Sequence, residues 1–158
     1  MSPFMMRLRG LIGHELLLLP SVAILPWDND GRLLMVRNLD TGQWQTIGGV
    51  IEPHESPREA AIREVREEAG IDVELLGLRD VVGGPNYRVL YPNGDQVAYV
   101  STVFDARMIG GELHADGEET SDALWLSMEE LADADMNSFT WTLLSELRVL
   151  TRKPASAR

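Results

Sequence analysis

The 158-residue sequence contains no cysteine. That excludes a disulfide framework, thiolate metal ligands and a cysteine nucleophile, and it fits a reducing cytoplasm. Long apolar runs are also missing. The longest, Leu16 to Leu19, is far short of the ~20 residues that a spanning helix needs. The opening MSPFMMRLRG lacks the apolar centre of a secretory signal. Basic charge is scarce: 14 Lys and Arg stand against 25 Asp and Glu, a formal net charge of -11. Such a surface repels a nucleic-acid polymer. A small phosphate compound remains an acceptable partner if a divalent cation lies between it and the protein. Neither a membrane nor a nucleic acid is expected as a partner, and a homodimer is left open.

What is present suits one domain with one core: 44% hydrophobic and 25% charged residues. Residues 2–13 carry apolar positions at helical spacing, so 1–14 reads as a helix or a tail. Leu16 to Trp27 reads as a strand, Asn29-Asp30-Gly31 as a turn, and Arg32 to Arg37 as the returning strand. Trp44 to Ile47 reads as a short strand running into Gly48-Gly49. Ser56 to Ala69 is the clearest helix: Ser56 suits the N-cap, Pro57 the first position, Glu59 a capping box and Gly70 the stop. Ile71 to Val82, Tyr87 to Tyr91, Gln96 to Phe104 and Ala123 to Leu126 read as strands, with Pro92-Asn93-Gly94-Asp95 a hairpin turn. Met128 to Ala134 and Phe139 to Leu150 look helical, and 151–158 is expected to be a frayed tail. The order indicates a mixed α/β domain.

The central helix crowds like charges. At about 100° per residue, Glu68 lies about 40° and Glu67 about 60° from Glu64, so the three share one face. Ala61, Ile62, Val65 and Ala69 turn toward a core, and Glu59, Arg63 and Arg66 toward water. A solvated face is one explanation, supported by Glu59–Arg63 and Arg63–Glu67 at four-residue spacing. Glu64–Glu68 opposes it, because like charges one turn apart cost about 0.2–0.5 kcal/mol. A hard cation such as Mg²⁺ would reverse that sign.

The flanks extend the pattern. Gly49, Glu55 and the run Arg63-Glu64-Val65-Arg66-Glu67-Glu68-Ala69-Gly70-Ile71 resemble a complete Nudix box, about a seventh of the chain. The resemblance implies an α/β/α sandwich with a mixed sheet from about Leu16 to Leu150. It implies metal-dependent hydrolysis of a nucleoside diphosphate linked to another moiety. Glu64, Glu67 and Glu68 become catalytic and metal-ligating, with the Gly49 carbonyl, for Mg²⁺ or Mn²⁺. Glu55 and Arg63 become the pair that ties loop to helix. A further acidic ligand or base from a late loop would be Glu119, with Glu118 its neighbour; two solvated glutamates are the alternative. Ile47 stands where many members have Pro, and His54 where many have Gly.

Substrate signals are thin. Tyr87, Arg88, Tyr91, Arg37 and Trp44 are candidates for base and phosphate contacts; Tyr87 and Tyr91, alternating onto one face of their strand, suit packing equally well, and Trp125 and Trp141 suit packing better. In the family a Pro about fifteen residues after the box goes with ADP-ribose hydrolysis, and a Tyr slightly further on with dinucleoside polyphosphates. Pro85 and Tyr87 fall close to those positions. The expectation leans to ADP-ribose-like or nucleotide-sugar substrates. A nucleoside triphosphate pyrophosphohydrolase and a non-catalytic nucleotide sensor are the alternatives.

Overall fold

The computed structural model describes residues 1–151, so the tail expected over 151–158 lies outside the described residues but for Thr151. Helix α1 (Pro3–Ile12) starts at Ser2, whose hydroxyl accepts the Met5 N–H, and ends at Gly13. It buries Met5 against Leu19 and Val97.

One eight-stranded mixed sheet follows. Its strands are β1 (Leu17–Trp27), β2 (Leu33–Asn38), β3 (Trp44–Gln45), β4 (Ile47–Val50), β5 (Ile71–Val82), β6 (Arg88–Leu90), β7 (Gln96–Gly111) and β8 (Thr120–Leu126). The main order is β3-β2-β1-β7-β5, with β4 on β1, β6 on β7 and β8 on β2. β1 and β7 run parallel, from Leu17↔Val97 to Trp27↔Arg107; the other pairs are antiparallel.

Helix α2 (Pro57–Ala69) has the expected capping box and ends at Gly70, which is left-handed at φ 72. It packs Ala60, Ala61, Val65 and Ala69 with Val22, Ile24, Val36, Ile47 and Phe104 on one face of the sheet. Helices α3 (Met128–Asp133) and α4 (Ser138–Glu146) cover the other face. There Leu131, Leu143 and Leu144 meet Ala23, Leu25, Leu33, Met35 and Val103. Alternate residues of β1 thus serve opposite cores, as the period of two in a strand requires. The architecture is an α/β/α sandwich.

Three local expectations are corrected. The strand expected over Trp44–Ile47 is two strands, because the Thr46 N–H donates to the Thr140 hydroxyl (3.1 Å) between them. The hairpin at Asn29–Gly31 closes through one pair, Trp27↔Leu33; beyond it β1 takes β4 and β2 takes β8. Tyr87 does not alternate with Tyr91 on a strand. It ends a 3-10 turn (Pro85–Tyr87), and its ring meets Phe139 edge-on at 5.3 Å.

Candidate active site

The site begins where β4 hands the chain to α2. Gly48 and Gly49 pass so close to their neighbours that a side chain has no room. A Cβ on Gly49 would stand 2.2 Å from Glu64 Oε1. The loop then returns to Ser56, and Arg63 fastens it from below. Arg63 Nε donates to Glu55 Oε2 (2.9 Å) and Nη2 to Glu55 Oε1 (2.6 Å), a two-point guanidinium–carboxylate contact. Nη2 also reaches the Val50 carbonyl at 3.3 Å, and the Glu52 N–H donates to Glu55 Oε1 at 3.0 Å. Hydrogen bonding by Arg63 holds the Glu55 carboxyl below its ordinary range.

Arg63 therefore does not sit on the wet side of α2 beside Glu59, as the helical wheel suggests. Glu59 is occupied by the cap, accepting the Ser56 N–H at 2.8 Å. Arg63 turns inward instead, and its Nη1 bonds Glu64 Oε1 (2.8 Å) and Glu67 Oε2 (3.1 Å).

The three carboxylates share a face but not an environment. The Glu67 side chain is 59% exposed and that of Glu64 12%, while Glu68 is 4% exposed. Burial pushes the Glu64 carboxyl up to about 7, and Glu67 and Glu119 push the same way against Arg63. Burial, then the Glu64 charge, raises Glu68 well above the usual carboxylate range. Glu68 Oε2 is buried with no hydrogen-bond partner. An oxygen in that state costs about 1–3 kcal/mol unless something fills its coordination.

The late loop lies over the same spot. One tie to α2 is the Thr120 hydroxyl, 3.2 Å from the Glu68 carbonyl oxygen. Glu118 and Glu119 face the cleft that Glu64, Glu67 and Glu68 line, a space of about 1220 Å³. The far wall comes from α1 and the β6–β7 hairpin, through Met5, Arg9, Tyr91 and Tyr99. Arg9 joins the two, donating to the Gln96 carbonyl at 3.0 Å and lying 3.5 Å from Asp95. The Tyr91 and Tyr99 hydroxyls are 2.5 Å apart.

Gly49, Glu64, Glu67, Glu68, Glu119 and Tyr91 thus meet at one cleft, with Arg63 and His54 on its lining and Glu55 clasped to Arg63. Four substrate candidates stand elsewhere. Tyr87 is 1% exposed and donates its hydroxyl to Glu146 at 2.6 Å. Arg37 lies over the Trp44 ring at 5.8 Å and donates to the Gly42 carbonyl. Arg88 is exposed on β6. None of these four lines the cleft. Sequence reasoning missed Arg9, Tyr99, His114 and Asp116, which reach the cleft from segments far from the box. An aspartate three residues before Glu119 was a signal for a side-chain-bonded turn.

Among the described residues no three acidic or imidazole groups already converge as a metal cluster; the cation these carboxylates meet is the Arg63 guanidinium. The donor set still fits a hard divalent ion. All the donors are oxygens, the buried Glu68 Oε2 lacks a partner, and Gly49 leaves the backbone pressed to Glu64.

Fold and site together define an α/β/α hydrolase organised around a carboxylate-bearing helix. The NUDIX domain model matches residues 17–147. A MutT-like protein of Streptomyces ambofaciens is 35% identical over 127 residues, covering 80% of this chain and 75% of that one. The nucleoside triphosphatase NudI of Klebsiella pneumoniae is 32% identical over 130 residues, covering 77% and 92%. The crystal structure of a MutT protein from Methanosarcina mazei superposes with a TM-score of 0.67 at 23% identity, over 85% of this chain and 95% of that one. The chain belongs to the Nudix family and is a Nudix-type pyrophosphohydrolase.

Proposed function

We propose that the protein hydrolyses a phosphoanhydride of a nucleoside triphosphate, releasing a monophosphate and pyrophosphate, with Mg²⁺ or Mn²⁺ held by Glu64, Glu67, Glu68 and the Gly49 carbonyl. The observation that carries the metal is the buried, partnerless Glu68 Oε2 beneath Glu64. Relatives that are 32% identical to this chain over the aligned 130 and 107 residues and bear triphosphatase names support the substrate class. Pro85 fell near the position that goes with ADP-ribose hydrolysis, and Tyr87 near the one that goes with dinucleoside polyphosphates. Neither lines the cleft, so the triphosphate reading takes precedence.

A divalent cation held by these oxygens would neutralise phosphate charge and favour loss of a proton from water near neutral pH. The chain's own residues do the rest. Glu119 takes up the proton of the attacking water. Arg63 keeps Glu64 and Glu67 in place through one contact to each. Glu55 fixes Arg63 and never touches the substrate. Tyr91, on the far wall, offers an aromatic face to a base. The acidic surface and cysteine-free composition agree with action on small nucleotides in the cytoplasm.

A panel of nucleoside triphosphates and nucleotide sugars, assayed with Mg²⁺, Mn²⁺ or EDTA and resolved by ion exchange, tests this. Monophosphate plus pyrophosphate is expected, with no turnover in EDTA. Sugar phosphate as co-product would restore the nucleotide-sugar reading, and full activity in chelator would remove the metal. Binding of nucleotide without any turnover would make the chain a sensor.

A further inference from the structure

Resting on the role just given to Glu119, we propose that Asp116 is the positioning residue of this site: it gathers residues 116–120 around its carboxylate and thereby aims Glu119 at the Glu64–Glu68 pair. A single oxygen, Asp116 Oδ1, accepts the N–H groups of Glu118, Glu119 and Thr120, each at 2.9 Å. The Thr120 hydroxyl lies 3.1 Å from the same oxygen. Convergence of that many donors calls for an ionised acceptor. Burial raises the Asp116 carboxyl, and the three backbone donors more than offset it, leaving it below the ordinary range.

The folded turn is then fastened on two sides. The Leu39 N–H donates to the Glu119 carbonyl at 2.9 Å, and the His114 N–H to the Ala69 carbonyl at 3.0 Å, where α2 ends. Thr120 is fully buried, with its hydroxyl 3.2 Å from the Glu68 carbonyl oxygen. The turn around Glu119 is thus tied to the end of α2 and to Leu39, the residue after β2, and the exposed Glu119 lines the cleft. A glutamate on a loose loop would average over many positions. Fixing its Cα spares that ordering cost when substrate binds.

Structural support alone would also explain an aspartate with these contacts, so the test must separate the two roles. Asp116→Ala, Asp116→Asn, Glu119→Gln and the Asp116→Ala/Glu119→Gln double variant are compared with the native chain. Mn²⁺ affinity is measured by titration calorimetry without substrate, and kcat and KM on the best triphosphate. Melting curves confirm that each variant folds. Asp116→Ala is expected to lower kcat about tenfold or more and to weaken Mn²⁺ binding, with KM within about twofold of native. On top of Glu119→Gln it should add less than about twofold to either effect, because positioning has nothing left to act on. Asp116→Asn, which keeps an acceptor oxygen and the fold, should recover part of the loss; it also carries the test if the alanine variant does not fold.

Equal losses from Asp116→Ala in both backgrounds would make Asp116 a structural residue only. Native kcat and Mn²⁺ affinity in Asp116→Ala would do the same. If Glu119→Gln changes neither quantity while Glu68→Gln abolishes Mn²⁺ binding, the metal reading stands and this inference falls. If the native chain binds no Mn²⁺ and turns nothing over, both fall.

Discussion

Gly48 and Gly49 are neighbours in β4 that face different obstacles. A Cβ on Gly48 would lie 2.2 Å from the Val22 carbonyl oxygen, and one on Gly49 2.2 Å from Glu64 Oε1. The first obstacle is backbone paired in the sheet; the second is the far end of a side chain, bonded to Arg63. Gly48→Ala should therefore cost about 1–3 kcal/mol of stability and lower Tm. Gly49→Ala should keep a near-native Tm while displacing Glu64, and lose most activity and divalent affinity. Comparable melting losses in the two variants would contradict this division.

Glu68→Gln keeps size and helix propensity and removes a buried carboxyl from the cluster. Without metal it should raise stability by about 0.2–0.5 kcal/mol, the scale of one like-charge contact. With Mg²⁺ it should lack the upward Tm shift that ligand linkage gives the native chain. Its kcat should fall by roughly two orders of magnitude. Equal Mg²⁺ shifts in the two proteins would show that Glu68 holds no metal.

The Glu64 carboxyl titrates at 4.5 when unperturbed and at about 7 in the folded, metal-free chain. The folded state thus holds the proton more tightly. That contribution to stability is complete below about 4.5 and disappears as pH rises through about 7. In EDTA, Tm should fall between pH 5 and 7.5, and Glu64→Gln should flatten the slope. Saturating Mg²⁺ should oppose it, because ligation requires the ionised form. Glu55 and Asp116, both lowered, act in the opposite sense, and their contribution is lost only in stronger acid.

Arg63→Lys tests the clasp. Lysine cannot make the two-point contact with Glu55 while also touching Glu64 and Glu67. The variant should lose about 1–3 kcal/mol, the worth of hydrogen bonds to charged groups. Its kcat should fall about 10–100-fold, as when the partner of a ligand is removed. Thermal melts and steady-state kinetics measure the two effects separately, and a native kcat would show that Arg63 only supports the fold.

The local parts of this structure were readable in the sequence. Ser56 and Glu59 close the helix start within four residues, and the glutamate spacing already placed Glu64, Glu67 and Glu68 together. Misreadings arose where a distant residue outweighs local preference. The Thr140 hydroxyl, 94 positions away, takes the N–H of Thr46 and splits a strand. Glu146, 59 positions on, holds the Tyr87 hydroxyl in the core. Arg63 left its expected i,i+4 partner Glu59 for Glu55, because Ser56 had already claimed Glu59. The far wall was illegible for the same reason: Arg9 and the Gln96 carbonyl are 87 positions apart.

The parallel pairing of β1 with β7 governs when this protein can become itself. Every residue of β1 waits for one 80 positions later, from Leu17 with Val97 to Trp27 with Arg107. A ribosome that has released only the first ninety residues has exposed α2 and its glutamates without the strand that anchors the middle of the sheet. Closing so long a loop delays the decisive folding step, and until then the apolar residues of β1 lack their cover. A shortened chain that keeps the whole glutamate helix but ends before residue 97 should therefore aggregate, and the acid pocket should be born only with the last third of the chain.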